Sequence, residues 1–371
     1  MKINKPHRAE IIAPRRILVI VQRSNGDVFL SSPLIEGLFK AYSGPFIDML
    51  VNNDTLAVAR TLPHIGEIHQ FSYGEEGRLK QTASLLRKIT RRYDLSVNLT
   101  ASDRSVLFAL VSGRTAISAV EADRKKSWWK RLLLSAHYDF DGGRHIIENN
   151  TAALDLLGLR SGKPTVSSSY SPASAESVDR MLAMRGLAEF VIFHPGAQYQ
   201  YKVYPEKLRT ALLEGLNRLG VPIVVTGSKS VLDMEIKRTL PKLDNVYDFI
   251  GLTSMDELIA LSDRSLAYIG ADTLNMHIAA SQNKRIFAIF GPTILSAWSP
   301  WCNGLCSGTR LNSAVQTYGN VTLFQAAMPC VACGKAGCDD NHGVSECLYH
   351  IDPEVITNEI DQWLTTVLRG K

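Results

Sequence analysis

Short apolar, β-branched runs alternate with segments of helical period along almost the whole chain, and few folds accept that rhythm. Ile17 to Val21 is such a run. A polar turn follows, Gln22 to Gly26, then apolar residues at helical spacing from Asp27 onward (Val28, Leu34, Leu38), and Phe46 to Val51 reads as the next strand. Two uniformly apolar strands joined through a helix make a βαβ unit whose strands are covered on both faces. Leu95 to Leu99 and Ala116 to Val120 continue the pattern. A second series opens at Phe190 to Phe193, with helices expected at Pro205 to Leu219, Lys229 to Leu240, Ser254 to Leu261 and Thr273 to Ala280. Its further strands are expected at Val221 to Val225, Leu266 to Ile269 and Arg285 to Phe290.

Between the two series, Ser161 to Ser177 is rich in Ser, Pro, Gly and Ala without an apolar period, which reads as a linker. A chain of 371 residues exceeds what one core usually supports. The expected organisation is an N-terminal domain over 1–165, a C-terminal domain over 178–350 and an amphipathic helix over 351–371 that packs back across the first domain. Alternation of this kind predicts parallel sheets with right-handed crossovers. Their ligands sit beyond the carboxyl ends of the strands, at a topological switch point, here expected in the cleft between the halves.

Composition narrows the class. With 45% hydrophobic and 21% charged residues the chain is globular rather than disordered. No window reaches the roughly eighteen apolar residues of a membrane span. Lys2, Lys5, Arg8, Arg15 and Arg16 precede only a short apolar run, unlike a signal peptide, so a cytoplasmic protein is expected. A net charge of +5 argues for an anionic surface or substrate before nucleic acid, and no nucleic-acid partner is expected. The cations cluster, at Arg87, Lys88, Arg91 and Arg92 and again at Arg124, Lys125, Lys126, Lys130 and Arg131.

Four polar turns stand directly after apolar strands, where this architecture keeps its ligands. In the first, Arg23-Ser24-Asn25-Gly26-Asp27, glycine permits a close approach, and Asp27 either caps a helix or accepts a proton from an attacking hydroxyl. The second, His194-Pro195-Gly196-Ala197, leads to Lys202 and Pro205-Glu206. A lysine beside a helix N-terminus opposes the dipole unless an anion lies between them, or unless it is simply solvated. The third, Thr226-Gly227-Ser228, is a tight turn able to touch a base or ribose. In the fourth, Gly270-Ala271-Asp272-Thr273-Leu274-Asn275-Met276-His277, a helix start offers N–H groups to an anion. Asp272 would repel phosphate unless turned toward sugar hydroxyls, and the plainer reading makes it or Thr273 a cap and His277 an ordinary inner-face histidine.

Taken in order with Phe290-Gly291-Pro292-Thr293, these segments resemble glycosyltransferase family 9, the bacterial lipopolysaccharide heptosyltransferases, over nearly the whole length. The resemblance implies a GT-B architecture: two Rossmann-like domains with parallel sheets facing an interdomain cleft, the N-terminal one binding acceptor and the C-terminal one donor. It implies inverting transfer of heptose from ADP-heptose to lipid A-linked Kdo or inner-core heptose. Asp27 would be the general base, and Arg23, Ser24 and Asn25 would border the acceptor. Lys202 would hold the diphosphate, Asp272 the heptose hydroxyls, and Thr273, Met276 and His277 the phosphate-binding helix start, with His194, Gly196 and Gly227 also on the donor side. No cofactor is required for such a transfer. Family members usually carry Gly where this chain has Leu274, and often Pro or Leu at Asn275; a side chain there is expected to restrict the backbone and crowd the diphosphate. The competing reading is a catalytically silent nucleotide-sugar or glycan-binding protein that keeps the fold.

Two further segments carry information. Cys330, Cys333, Cys338 and Cys347, spaced Cys-x2-Cys-x4-Cys-x8-Cys, can hold a structural zinc or an iron-sulfur cluster, or remain free thiols or disulfides. Asp123 to Leu134 joins cations with Trp128 and Trp129. That mixture fits either a membrane interface, with Arg124 and Lys125 meeting an anionic glycolipid acceptor at the inner membrane surface, or an ordinary packed helix.

Overall fold

The computed structural model describes residues 13–72, 78–159 and 162–369; Lys2, Lys5, Arg8 and Ser161 lie outside the described residues. The chain divides into two compact units between Ser169 and Tyr170.

In the first unit six strands form one sheet: β1 (Arg16–Val21), β2 (Phe46–Asn52), β3 (Ile65–Phe71), β4 (Tyr93–Asn98), β5 (Gly113–Val120) and β6 (Ala136–Asp139), in the order β3-β2-β1-β4-β5-β6. Every pairing is parallel. Ile17 through Val21 are fully buried, as a strand covered on both faces requires. The second unit holds β7 (Val191–His194), β8 (Ile223–Val225), β9 (Val246–Asp248), β10 (Ala267–Ala271), β11 (Arg285–Ile289), β12 (Val315–Tyr318) and β13 (Val321–Phe324), in the order β12-β13-β11-β10-β7-β8-β9. Only β12 runs antiparallel, in a hairpin with β13. Alternate residues of β7 feed two cores: Val191 and Phe193 pack on one face, Ile192 on the other with Phe190. Both sheets reverse direction beside their first strand, between β1 and β4 and between β10 and β7, so each unit is Rossmann-like with one switch point.

Local chemistry moved two boundaries from their expected places, and the final helix packs elsewhere than expected. The helix read from Asp27 is two helices, Asn25–Phe29 and Ser32–Ala41. Pro33 supplies no N–H and restricts the residue before it, while the Ser31 hydroxyl donates to the Val28 carbonyl at the break. The stretch read as linker runs into the helix Pro172–Ala183, which starts inside it: Ser171 accepts the N–H of Ser174 as its cap and proline takes the first turn. The final helix, Pro353–Arg369, buries Ile356, Ile360 and Leu364 in the core of the second unit, against the helix Glu206–Arg218, where Gly215 leaves room for Thr357. Three such side chains at about 2 kcal/mol each anchor it there.

Candidate active site

Asp27 lies in the turn after β1, beside the first switch point. The residue is 4% exposed. Oδ2 accepts the Ser24 hydroxyl at 2.6 Å and the Ser24 N–H at 3.3 Å, and Arg23 Nε stands 3.0 Å from Oδ1. Oδ1 has no hydrogen-bond donor of proper angle among the described residues. Burial pushes the Asp27 carboxyl above the usual range, and Arg23 and Ser24 only partly pull it back, which brings a base closer to neutral pH. Arg23 in turn lies over the Phe140 ring, 5.0 Å from its centroid. Around this turn sit side chains the sequence did not single out. Gln22 is buried with neither amide atom partnered, and Asn52 donates to the Arg23 carbonyl at 3.3 Å while its own oxygen is unpartnered among the described residues. A buried polar group without a partner is costly, and a polyhydroxylated ligand is one way to satisfy it. Arg124 and Lys125 are exposed at the start of the helix after β5, two strands along the same edge.

In the second unit the turns after β7, β8, β10 and β11 meet at the other switch point. Lys202 Nζ is 2.7 Å from Asp272 Oδ2. Burial pushes the Asp272 carboxyl up, but the Lys202 ammonium, the Thr293 hydroxyl and His277 outweigh it and hold it below the ordinary range. Burial likewise disfavours the Lys202 ammonium, yet Asp272 raises its pKa on balance. The repulsion Asp272 would exert on a phosphate is thus offset by its own partner. Beside the pair begins the helix Leu274–Ser281. Thr273 precedes it in extended conformation and its side chain makes no cap, so the first amides are left to another acceptor. Two glycines are required here by close approach: a Cβ on Gly270 would meet the His194 carbonyl oxygen at 2.3 Å, and one on Gly196 would meet Asp233 Oδ1 at 1.9 Å. Asp233, not foreseen from sequence, accepts the N–H and hydroxyl of Ser228 and so shapes the turn at Gly227.

Two expectations are corrected. Met276 is fully buried among apolar core residues, and its N–H goes to the Thr273 carbonyl at 3.2 Å, so it does not line the site. Leu274 is absent from the residues of positive φ and begins the helix with ordinary backbone, so glycine's freedom is not needed at that position. Burial lowers the pKa of His194 to about 4, and the neutral ring sits between the Thr226 hydroxyl, 3.0 Å from Nδ1, and the Asn275 amide, 2.8 and 2.9 Å from the two ring nitrogens. The departure at Asn275 therefore pairs with His194. A histidine held neutral costs stability as pH falls from its unfolded value of about 6.5 toward 4, because only the unfolded chain binds the proton there. His194→Gln is expected to flatten that part of the stability profile, measured as denaturation midpoint against pH.

His277 is buried as expected of an inner-face histidine. In the Cys-rich loop, Cys330, Cys333 and Cys338 are exposed and Cys347 is buried. Burial and then the charges of the other three push the Cys347 thiol up to about 11. Among the described residues the only His, Cys, Asp or Glu set with three ligand atoms within 4.8 Å of one another is Asp48, Glu67 and His69. Thiolates around zinc stand about 3.8 Å apart, from Zn–S of about 2.3 Å, closer than any three of these sulfurs stand here. Asp48 and His69 are already bonded to Tyr93, at 2.9 and 2.8 Å.

A family model described as glycosyltransferase family 9 (heptosyltransferase) matches residues 82–316. Lipopolysaccharide heptosyltransferase 3 of Escherichia coli is 28% identical over 292 residues, 76% of this chain and 85% of its own. Among solved structures, E. coli ADP-heptose lipopolysaccharide heptosyltransferase II superposes with a TM-score of 0.68 at 21% identity, over 95% of this chain and 99% of its own. E. coli heptosyltransferase WaaC, solved with ADP-2-deoxy-2-fluoro heptose, gives 0.69 at 14% identity, over 94% and 99%. The structural likenesses bear on the fold.

Proposed function

Since the chain belongs to glycosyltransferase family 9 and is a glycosyltransferase, we propose that it moves heptose from ADP-heptose, with inversion, to the Kdo or heptose inner core of lipopolysaccharide. The observation that carries this reading is the placement of a buried, proton-seeking carboxylate at one switch point and an uncapped helix start with a lysine at the other. In the proposed reaction the acceptor hydroxyl attacks the anomeric carbon and gives its proton to Asp27. The bond from that carbon to the diphosphate oxygen breaks, and ADP leaves with the bonding pair. Lys202 and the first amides of the Leu274–Ser281 helix offset the charge that develops on the phosphate, so the transfer needs no metal, and Asp272 and Thr293 meet sugar hydroxyls. Gly196, Gly227 and His194 shape the donor side; Arg23, Ser24 and Asn25 border the acceptor. The test is ADP release from ADP-heptose with a Kdo-lipid acceptor, followed by the anomeric configuration of the product. Release dependent on acceptor with inverted linkage is expected; the same linkage as in the donor overturns the mechanism.

The acceptor implies work at the cytoplasmic face of the inner membrane, and the helix Arg124–Leu133 is suited to it. No helix among the described residues is long and apolar enough to cross a membrane. In this helix polarity is inverted: Lys130 is fully buried, with Nζ 2.6 Å from the Ala101 carbonyl and 2.7 Å from Glu121, whereas Trp128 and Leu132 are 64% and 74% exposed beside Arg124, Lys125 and Lys126. Exposed tryptophan and leucine ringed by cations match an anionic lipid surface. A Trp128→Ser/Leu132→Ser variant is expected to sediment with anionic vesicles about tenfold less while keeping its turnover on a detergent-free, lipid-free core sugar; undiminished sedimentation removes this contact.

A further inference from the structure

The Cys-rich loop, which the proposed transfer leaves unused, touches both sides of the Lys202–Asp272 pair. Lys202 is carried by a single 3-10 turn, Gln200–Lys202, held locally by the Lys202 N–H on the Tyr199 carbonyl at 3.1 Å. Tyr199, just before this turn, and Tyr201, within it, stack on one another with centroids 5.5 Å apart, and His342 of the loop lies 5.1 Å from the first and 5.8 Å from the second. On the other side, the Gly334 N–H donates to the Pro292 carbonyl at 2.7 Å, one residue before Thr293, whose hydroxyl bonds Asp272.

His342 is itself firmly placed. Its backbone is left-handed, at φ +66°, and its N–H reaches the Ala336 carbonyl at 2.7 Å. The Cys338 N–H bonds the Val344 carbonyl at 2.9 Å across it, and Asp339 Oδ1 accepts the N–H groups of Asn341 and Gly343 on either side. With its backbone held this way, His342 is exposed and its ring lies against Tyr199 and Tyr201, the two rings that come just before Lys202 in the chain.

We propose that His342 is a positioning residue: stacked on Tyr199 and Tyr201, it fixes the turn that presents Lys202, and through it the Cys-rich loop sets the affinity for the nucleoside diphosphate. The inference rests on the donor role of Lys202. Stacked ring pairs contribute enough for loss of one to weaken binding by up to about tenfold. The full-length chain is compared with His342→Ala, His342→Phe and Lys202→Ala by calorimetric titration with ADP, by turnover at saturating donor and by thermal unfolding. His342→Ala is expected to weaken ADP by about tenfold with turnover within about twofold and an unchanged unfolding midpoint, and His342→Phe to restore the affinity. Unchanged ADP affinity in His342→Ala, with Lys202→Ala weakened, overturns the positioning role alone. Unchanged affinity in Lys202→Ala overturns the donor assignment and this role with it. Equal loss in the Ala and Phe variants means the ring does not act by stacking, and also counts against it.

Discussion

Asp27→Asn is expected to lower turnover by about 10²- to 10⁴-fold, the usual share of a general base, without lowering stability. Burial raises the Asp27 pKa in the folded chain, so between its unfolded and folded values the folded state holds a proton that the unfolded state has released. Stability from this group is therefore lost as pH rises through that window, and an amide, which has no charge to bury, removes the loss. The Ser24 N–H and hydroxyl can still donate to the amide oxygen. Turnover and denaturation midpoint measured on the same preparations separate a missing base from a damaged fold. A variant that stays active removes the base, and one that unfolds shows Asp27 to be chiefly a cap.

Lys202→Met is expected to act on both stability and donor binding. Removing the ammonium leaves Asp272, 6% exposed, without its counter-charge. Breaking a fully buried pair this way costs about 3–5 kcal/mol; the Lys202 side chain is 25% exposed, so about 2 kcal/mol is the expected loss here. ADP affinity should fall about ten- to a hundredfold, the range for a hydrogen bond to a charged group. Adding Asp272→Asn should return most of the stability and none of the affinity. That pattern in denaturant titration and ADP binding distinguishes a ligand-binding lysine from one present only to neutralise Asp272.

What the sequence made legible follows from how strongly each residue is constrained. Strands buried on both faces, such as β1 and β10, announce themselves as unbroken apolar runs. Edge strands do not: β3, with Glu67 and Gln70 facing out, and β6 and β9, of four and three residues, lack such a run. Pro172 shows the opposite failure, where a Ser-Pro pair typical of linkers was a cap and first turn. The candidate site residues on strand-ending turns stand out in the sequence because glycine and charge are conspicuous there. Met276 misled because a motif fixes identity without fixing which side of the helix is wet. Asp233 and Gln22 were invisible, since their roles depend on partners brought near by the fold: Ser228 and Gly196 for the first, and an unpartnered burial for the second. The histidine His194 and its neighbour Asn275 are 81 positions apart, a pairing only the β7–β10 register creates.

The claim on which the rest depends is that the second unit holds a diphosphate at the start of the Leu274–Ser281 helix. Diffraction from crystals grown with ADP tests it most directly. The expected map places terminal phosphate oxygens within about 3 Å of Lys202 Nζ and of the Leu274 or Asn275 amide nitrogen. Diphosphate density away from this helix start, with Lys202 pointing elsewhere, contradicts it.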